Sequence, residues 1–85
     1  MELSVSQHKH DVWISIRGSF DAHTAPTSRS QLDQVVESKP PGIVLDMSDT
    51  SLIDSTGVGG IVSLYKRTRA YGGQFSVVGV NGQPQ

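Results

Sequence analysis

Alternating apolar and polar positions at the start of the chain predict two neighbouring strands. Residues 3–6 alternate, and after a polar stretch residues 12–17 alternate again, with Val12, Ile14 and Ile16 on one face and a half-buried Trp13 on the other. The short polar connection between the runs predicts an antiparallel hairpin. Gly18 is expected to end the second strand.

The next pattern has helical spacing and leads into a buried strand. Thr24 is expected to cap the helix with its side chain, and Pro26 suits the first turn. One face of this helix carries Ala25, Ser28, Leu32, Val35 and Val36. After the break at residues 38–42, residues 43–47 are almost continuously apolar, as in a central strand buried on both faces. Strand, helix and strand predict a parallel crossover.

A second helix and a last strand complete the pattern. Residues 48–51 read as a turn, and residues 56–70 as a helix that Gly72 and Gly73 end. The expected buried stripe of this helix is Val58, Ile61, Val62 and Tyr65, flanked by Leu64 and Thr68. Residues 75–80 form the last predicted strand, and residues 81–85 a turn-like tail. The fold class predicted is α/β, a small mixed sheet with helices packed on it, in the order β-β-α-β-α-β.

Composition narrows the classes of function. Eighty-five residues predict one small domain with a modest core. A net charge of −1 does not favour direct nucleic-acid binding, and the chain has no cysteine for disulfide or thiolate chemistry. No apolar run approaches the roughly 20 residues that span a bilayer, and the first residues lack a secretory pattern. We expect a cytoplasmic protein without a membrane partner.

Candidate chemistry is concentrated at residues 54–59, where the second helix begins. This stretch places the Asp54 carboxylate and the Ser55 and Thr56 hydroxyls beside free N–H groups at the positive end of the helix dipole. Asp54 also suits a plain capping role. Three glycines in the first turns cost roughly 1 kcal/mol each relative to alanine. Flexibility, close backbone packing or access by a partner loop each explain Gly57 and Gly59.

The sequence lacks residues that three kinds of catalytic or ligand-binding site require. A nucleophile elbow needs glycine two residues before its serine, and Ile53 stands there. A phosphate-binding loop needs a lysine after its glycines, and none follows Gly60. His8 and His10 lack an evident third metal ligand. We therefore predict no enzymatic activity, no metal and no cofactor.

Three segments in order resemble STAS domains, in particular bacterial anti-sigma factor antagonists. Residues 18–25 resemble the first loop of that family, residues 43–48 its central strand, and residues 52–59 its phosphorylation motif. Lys66 and the pair Gly72-Gly73 fall where the family often has a basic residue and two glycines. The resemblance extends to Val80, and its order and spacing are more specific than any single segment.

The resemblance implies a phosphorylation switch. In the family, the serine directly after the motif aspartate, here Ser55, is phosphorylated by an anti-sigma factor that is also a serine kinase. The unphosphorylated antagonist binds that kinase and frees a sigma factor, the phosphorylated form is released, and a PP2C-type phosphatase resets it. Thr56 is the second candidate acceptor. Lys66, Arg67 and Arg69 are expected to form a solvated face or to contact the partner.

The resemblance also places the first-helix loop beside the phosphorylation site. Asp21 is then expected either to orient the Ser55 hydroxyl or contact the kinase, or to cap its own loop. The predicted partner-binding residues are Asp21, His23, Thr24, Asp54, Ser55, Thr56, Gly57, Val58 and Gly59.

The chain departs from the family at its end, since family members usually continue into a further helix. Residues 1–85 are therefore expected to form a single, C-terminally short STAS domain, with self-association possible through an uncovered C-terminal edge. A STAS scaffold module without its own phosphorylation cycle is the alternative function. A nucleotide-binding or hydrolytic protein is less favoured.

Overall fold

The computed structural model describes residues 1–79, which form five strands and two helices. The elements are β1 (Glu2–His8), β2 (Asp11–Phe20), α1 (Ala25–Glu37), β3 (Gly42–Asp46), β4 (Thr50–Ile53), α2 (Ser55–Ala70) and β5 (Gln74–Val78). The predicted α/β class is confirmed, but the predicted order lacked β4. Four residues are too short to show a period, so the sequence predicts only a turn over residues 48–51 where β4 begins.

The sheet is mixed, as predicted. Its main strand order is β1-β2-β3-β5, and β4 pairs with the far end of β2. β1 and β2 are antiparallel, which confirms the hairpin. β3 is parallel to β2, which confirms the crossover through α1, and β5 is parallel to β3.

Glycine at position 18 bends β2 and does not end it, contrary to the prediction. Gly18 has φ +86° and pairs with Thr50 of β4, whereas β2 pairs with β3 only as far as Ser15; the β2–β4 register then shifts between Gly18 and Ser19. A positive φ favours glycine, and bulges of this kind redirect a strand. The bend carries β2 on to Phe20, directly before the loop that leads to α1.

Both helices pack on one face of the sheet. Ile14 lies opposite Leu45 in the parallel register, and both are 0–1% exposed. The core cluster joins this strand face to α1 and α2 and comprises Ile14, Ile16, Phe20, Leu32, Val35, Ile43, Leu45, Met47 and Leu64. The α1 face is as predicted. Within residues 1–79 the opposite sheet face carries no helix, and Trp13 is half-buried there beside the His8 ring, 5.4 Å between ring centroids.

The buried face of α2 differs from the predicted stripe. Gly57, Leu64 and Thr68 are buried and Ile61 is half-buried. Thr68 is fully buried, and its hydroxyl avoids the cost of an unsatisfied donor because it donates to the carbonyl of Leu64 at 2.7 Å. The remaining stripe residues predicted to be buried are exposed: Val58 by 48%, Val62 by 42% and Tyr65 by 44%. The apolar period alone therefore misplaced this helix by a partial rotation.

The ends of α2 and β5 lie close to the predicted positions. α2 begins at Ser55, one residue before the prediction, and Gly72 follows its end with φ +88°. β5 begins at Gln74 and ends at Val78. Val80 and the predicted tail at 81–85 lie outside the described residues. Over residues 1–79, neither helix is long and apolar enough to cross a bilayer.

Candidate functional site

Asp54 caps α2 with its side chain, as the motif suggests. The residue is extended, with φ −109° and ψ −173°, and its Oδ1 accepts the backbone N–H of Gly57 at 3.0 Å. This bond satisfies one of the free N–H groups of the first helical turn. The capping interpretation of Asp54 is therefore correct for the described structure.

The second oxygen of Asp54 joins the helix start to the first-helix loop. Oδ2 accepts the backbone N–H of Ala22 at 3.1 Å, a contact across 32 residues of sequence. The Gly57 N–H bond lowers the pKa of the Asp54 carboxyl, partial desolvation opposes that effect, and the Ala22 N–H adds to the lowering. The carboxylate thus connects the two segments that the sequence assigned to the site.

Asp54→Asn is expected to destabilise the fold at pH 7 more than at pH 3. An asparagine replaces one carboxylate oxygen by an NH2 group, so the N–H of Gly57 or that of Ala22 would then face a donor instead of an acceptor. Because the folded carboxyl has a lowered pKa, its contribution is full above the ordinary value of about 3.9 and is lost as pH falls through the lower folded value. Urea unfolding of both proteins at the two pH values measures this difference.

The matched control for this experiment is Asp49→Asn. Within residues 1–79, the contact of the Asp49 carboxylate is a 4.0 Å ion pair with exposed Arg17, so its replacement is expected to change the unfolding free energy little. A loss of stability in Asp54→Asn that is equal at pH 7 and pH 3 would contradict the bridging role of the carboxylate.

Gly57 lies where another backbone passes. A Cβ built at this position would collide with the carbonyl oxygen of Phe20 and would lie 2.8 Å from Cγ1 of Ile53. Real Cβ atoms do not approach so closely, so α2 can rest on the end of β2 only with glycine here. Of the explanations offered for Gly57, the structure shows close packing. Gly59 differs, since a Cβ there would have no neighbour within 4 Å.

Asp21 organises its own loop. Its Oδ1 accepts the backbone N–H groups of His23 at 3.0 Å and Thr24 at 3.1 Å, and the Thr24 hydroxyl lies at 3.2 Å. Among residues 1–79, no hydrogen bond joins Asp21 to Ser55, so the expectation that Asp21 orients the Ser55 hydroxyl is not met. Oδ1 of the carboxylate stabilises a local turn, which is the ordinary role of aspartate before a helix and matches the loop-capping alternative.

Thr24 occupies the N-cap position of α1, but its side chain does not cap the helix. The hydroxyl donates to the carbonyl of Ser19 at 2.8 Å and accepts the backbone N–H of Asp21 at 2.9 Å. The prediction of a side-chain cap is therefore wrong, because the loop offers this hydroxyl two nearer partners. Pro26 stands in the first turn, as predicted.

The two candidate hydroxyls have different surroundings. Ser55 is the exposed first residue of α2, and its hydroxyl makes no hydrogen bond within residues 1–79. Thr56 is also exposed, but it lines a groove of about 360 Å³ between α1 and α2 that Ser55 does not line. Arg29 and Arg67 line the same groove, and Arg67 pairs with Asp33 at 2.9 Å. Neither hydroxyl makes a hydrogen bond within residues 1–79, so the difference between them is that Ser55 stands outside the groove and Thr56 lines it.

An exposed apolar stripe follows Ser55 along α2. Val58, Val62 and Tyr65 stand three, seven and ten residues after Ser55, spacings that place all four on one helical face. Tyr65 meets Phe75 edge to face at a centroid distance of 6.0 Å, and the Arg69 guanidinium lies 5.9 Å from the Tyr65 ring. The sequence analysis places all three side chains in the buried stripe and names only Val58 as partner-binding as well, so the Val62 and Tyr65 part of this surface was missed.

The structure brings most of the predicted site residues together. The Asp54–Ala22 bond and the Gly57–Phe20 contact hold the first-helix loop against the start of α2. His23, Ser55, Thr56, Val58 and Gly59 are exposed, whereas Gly57 is buried and Asp21, Thr24 and Asp54 are half-buried. Ala22 and Phe20 were missed because they act through backbone groups, which leave no signal in side-chain identity. Lys66 is exposed.

Comparison with known proteins identifies the family. The model of the STAS domain matches residues 2–85. The "Anti-sigma F factor antagonist" of Paenibacillus polymyxa is 28% identical over 82 residues, 95% of this chain and 70% of that protein. SpoIIAA in its unphosphorylated form superposes with a TM-score of 0.77 at 20% identity, over 98% of this chain and 76% of that one. Its phosphorylated form, described as a Bacillus cell fate determinant, superposes with a TM-score of 0.74 at 20% identity, over 98% of this chain and 75% of that one. The chain therefore belongs to the STAS domain family, among relatives that are anti-sigma factor antagonists.

Proposed function

We propose that this chain is an anti-sigma factor antagonist controlled by phosphorylation of Ser55. In the unphosphorylated state it binds an anti-sigma factor that is also a serine kinase, and the phosphorylated state is released. A PP2C-type phosphatase restores the binding state. The chain is then a substrate of another protein's catalysis and needs no cofactor of its own.

The presentation of Ser55 is the observation that carries this proposal. Its hydroxyl is exposed, free of hydrogen bonds to residues 1–79, and stands at the first position of α2. The neighbouring carboxylate of Asp54 and the packing of Gly57 fix the helix start beneath it. A kinase can therefore reach a hydroxyl that is held in one place, and its phosphorylation breaks no contact of the described fold.

A phosphate on Ser55 suits the folded chain but not an interface. It adds about −1.5 to −2 charges at neutral pH, which the positive end of the α2 dipole favours. The same charge would stand at the head of the exposed stripe formed by Val58, Val62 and Tyr65. If a partner covers that stripe, burial of the phosphate against apolar surface costs desolvation energy. The switch then acts at the interface without refolding of the antagonist.

The space beside Gly59 supports the same partner surface. The fold does not require glycine at this position, since a Cβ would meet nothing within 4 Å. Glycine in a helix nevertheless costs roughly 1 kcal/mol relative to alanine. Close approach by a loop of the partner would explain why glycine stands at this position, which the contacts of the isolated chain do not require.

The names of the relatives support this class of function. The Paenibacillus protein is named an anti-sigma F factor antagonist, and SpoIIAA has been solved both unphosphorylated and phosphorylated. In the present chain, Asp54 and Ser55 stand at the start of α2, where the family motif is expected.

Phosphosite mapping tests the proposal directly. The purified chain is incubated with ATP and the serine-kinase anti-sigma factor from its own source, and peptides are sequenced by mass spectrometry. We expect one phosphate, on Ser55, its loss in Ser55→Ala, and its retention in Thr56→Ala. Phosphate on Thr56 alone would overturn the assignment. So would phosphate on neither residue, provided that the same kinase preparation phosphorylates a known substrate.

A further inference from the structure

The strand β1 forms an unprotected edge of the sheet. Its seven residues pair with β2 in an unbroken register from Glu2 opposite Arg17 to His8 opposite Asp11, and the strand order places no described strand on its other side. Edge strands usually carry a proline, a bulge or an inward-pointing charge that prevents pairing with another chain. β1 has none of these, and six of its seven residues are exposed. Among the described residues, β4 and β5 also have a paired strand on one side only, but they have four and five residues.

The sequence of β1 is complementary to itself when read in the opposite direction. An antiparallel pair centred on Val5 sets Val5 opposite its copy and Ser4 opposite Ser6, so residue numbers in each facing pair sum to ten. The same register sets the Glu2 carboxylate of one copy opposite His8 of the other, one residue before Lys9. Apolar meets apolar at the centre, small hydroxyls flank it, Leu3 faces the amide of Gln7, and at both ends the Glu2 carboxylate faces a His8 ring that can donate a hydrogen bond to it.

The faces of the sheet agree with this register. Val5 pairs with Ile14 and lies on the face that carries the helices, and it is 45% exposed although its neighbour is fully buried. Ser4 and Ser6 lie on the opposite face and are exposed. Because facing residues in the proposed register have the same parity, each copy keeps its helix-bearing face on the same side of a continuous sheet. A second Val5 would cover apolar area that is now in contact with water.

We propose that two copies of this chain associate through antiparallel pairing of their β1 strands in the register centred on Val5. This arrangement has two-fold symmetry, so it closes as a dimer and does not propagate. A seven-residue edge buries much less than the roughly 1,600 Å² of a standard interface. Association is therefore weak, with a dissociation constant on the order of 100 μM. The edge is separate from the residues proposed to bind the kinase.

Cysteine cross-linking tests the register, because the native chain has no cysteine to interfere. Opposing Cβ atoms of an antiparallel pair lie about 4.5–5.5 Å apart, close enough for a disulfide after a small adjustment. In a glutathione redox buffer, Val5→Cys is expected to form a disulfide dimer. Ser4→Cys and Ser6→Cys are each expected to remain largely monomeric alone, and to form a mixed disulfide when combined.

Two further variants separate the proposal from random collision and from misfolding. Leu52→Cys, at a position 56% exposed on β4, reports the background of collisional cross-linking and is expected to stay monomeric. Val5→Lys sets two like charges opposite each other, so at 0.5 mM it is expected to sediment as a monomer while keeping the native circular dichroism spectrum. Val5→Cys cross-linking no better than Leu52→Cys, or native and Val5→Lys chains with equal sedimentation, would overturn the proposal. Ser4→Cys dimerising alone as well as with Ser6→Cys would contradict the register.

Discussion

Gly57→Ala is expected to destabilise the chain by about 3 kcal/mol, the upper end of the cost of overpacking a core. The added methyl group would meet the carbonyl oxygen of Phe20, which is backbone and cannot rotate away. Relief requires α2 to lift from the end of β2, and the Asp54–Ala22 bond would be disturbed with it. For a domain of this size, the loss corresponds to a fall in melting temperature of about 12–24 °C.

Gly59→Ala is the matched control for that experiment. It makes the same chemical change two residues later, where a Cβ meets nothing within 4 Å. Because alanine is the better helix former, this variant is expected to gain up to about 1 kcal/mol. Thermal and urea unfolding followed by circular dichroism measure both variants. Equal melting temperatures for Gly57→Ala and the native chain would show that α2 does not rest on β2 as described.

Ser55→Asp is expected to weaken binding to the serine-kinase anti-sigma factor by about a hundredfold, equivalent to roughly 3 kcal/mol. The added carboxylate would stand at the head of the stripe formed by Val58, Val62 and Tyr65, where the proposed partner excludes water. The helix dipole favours an acidic group at this end of α2, so the melting temperature is expected to stay close to native. The loss of binding would then be a property of the interface and not of folding.

Two variants complete this test. Ser55→Ala is expected to bind within severalfold of the native chain, since it removes a hydroxyl that has no partner within residues 1–79. Ser76→Asp adds the same charge at an exposed position on the sheet face without helices, and is expected to leave binding unchanged. Calorimetric titration of the kinase with each variant measures the dissociation constants. Equal weakening by Ser76→Asp and Ser55→Asp would indicate a general charge effect.

The hydrophobic patterns of short segments predicted most strands of the sheet and the helix α1. The alternation around Ile14 identified β2 and its buried face, and the continuous apolar run predicted β3. Two elements needed information that lies elsewhere in the chain. β4 exists because the end of β2 offers it a pairing partner after the bulge at Gly18. The rotation of α2 is set by the fit of Gly57 on the Phe20 carbonyl, a contact that no hydrophobic period can report.

The residues of the site could be predicted from the sequence, but the contacts that join them could not. The motif at residues 54–59 offered a capping role for Asp54 beside a partner-binding one, and placed the two hydroxyls at the helix start. The bond from Asp54 to Ala22 spans 32 residues and uses a backbone N–H, so it could not be read from side-chain identity. The exposed stripe was hidden for a related reason: an apolar side chain at helical spacing suits the core and a partner surface equally well.

The affinity of the anti-sigma factor for the phosphorylated chain tests the central claim most directly. The native chain is phosphorylated by the kinase, purified, shown by mass spectrometry to carry one phosphate on Ser55, and titrated beside the unphosphorylated chain. The account predicts binding at least about a hundredfold weaker for the phosphorylated form, with both forms equally folded by circular dichroism. Equal affinities for the two forms would contradict it.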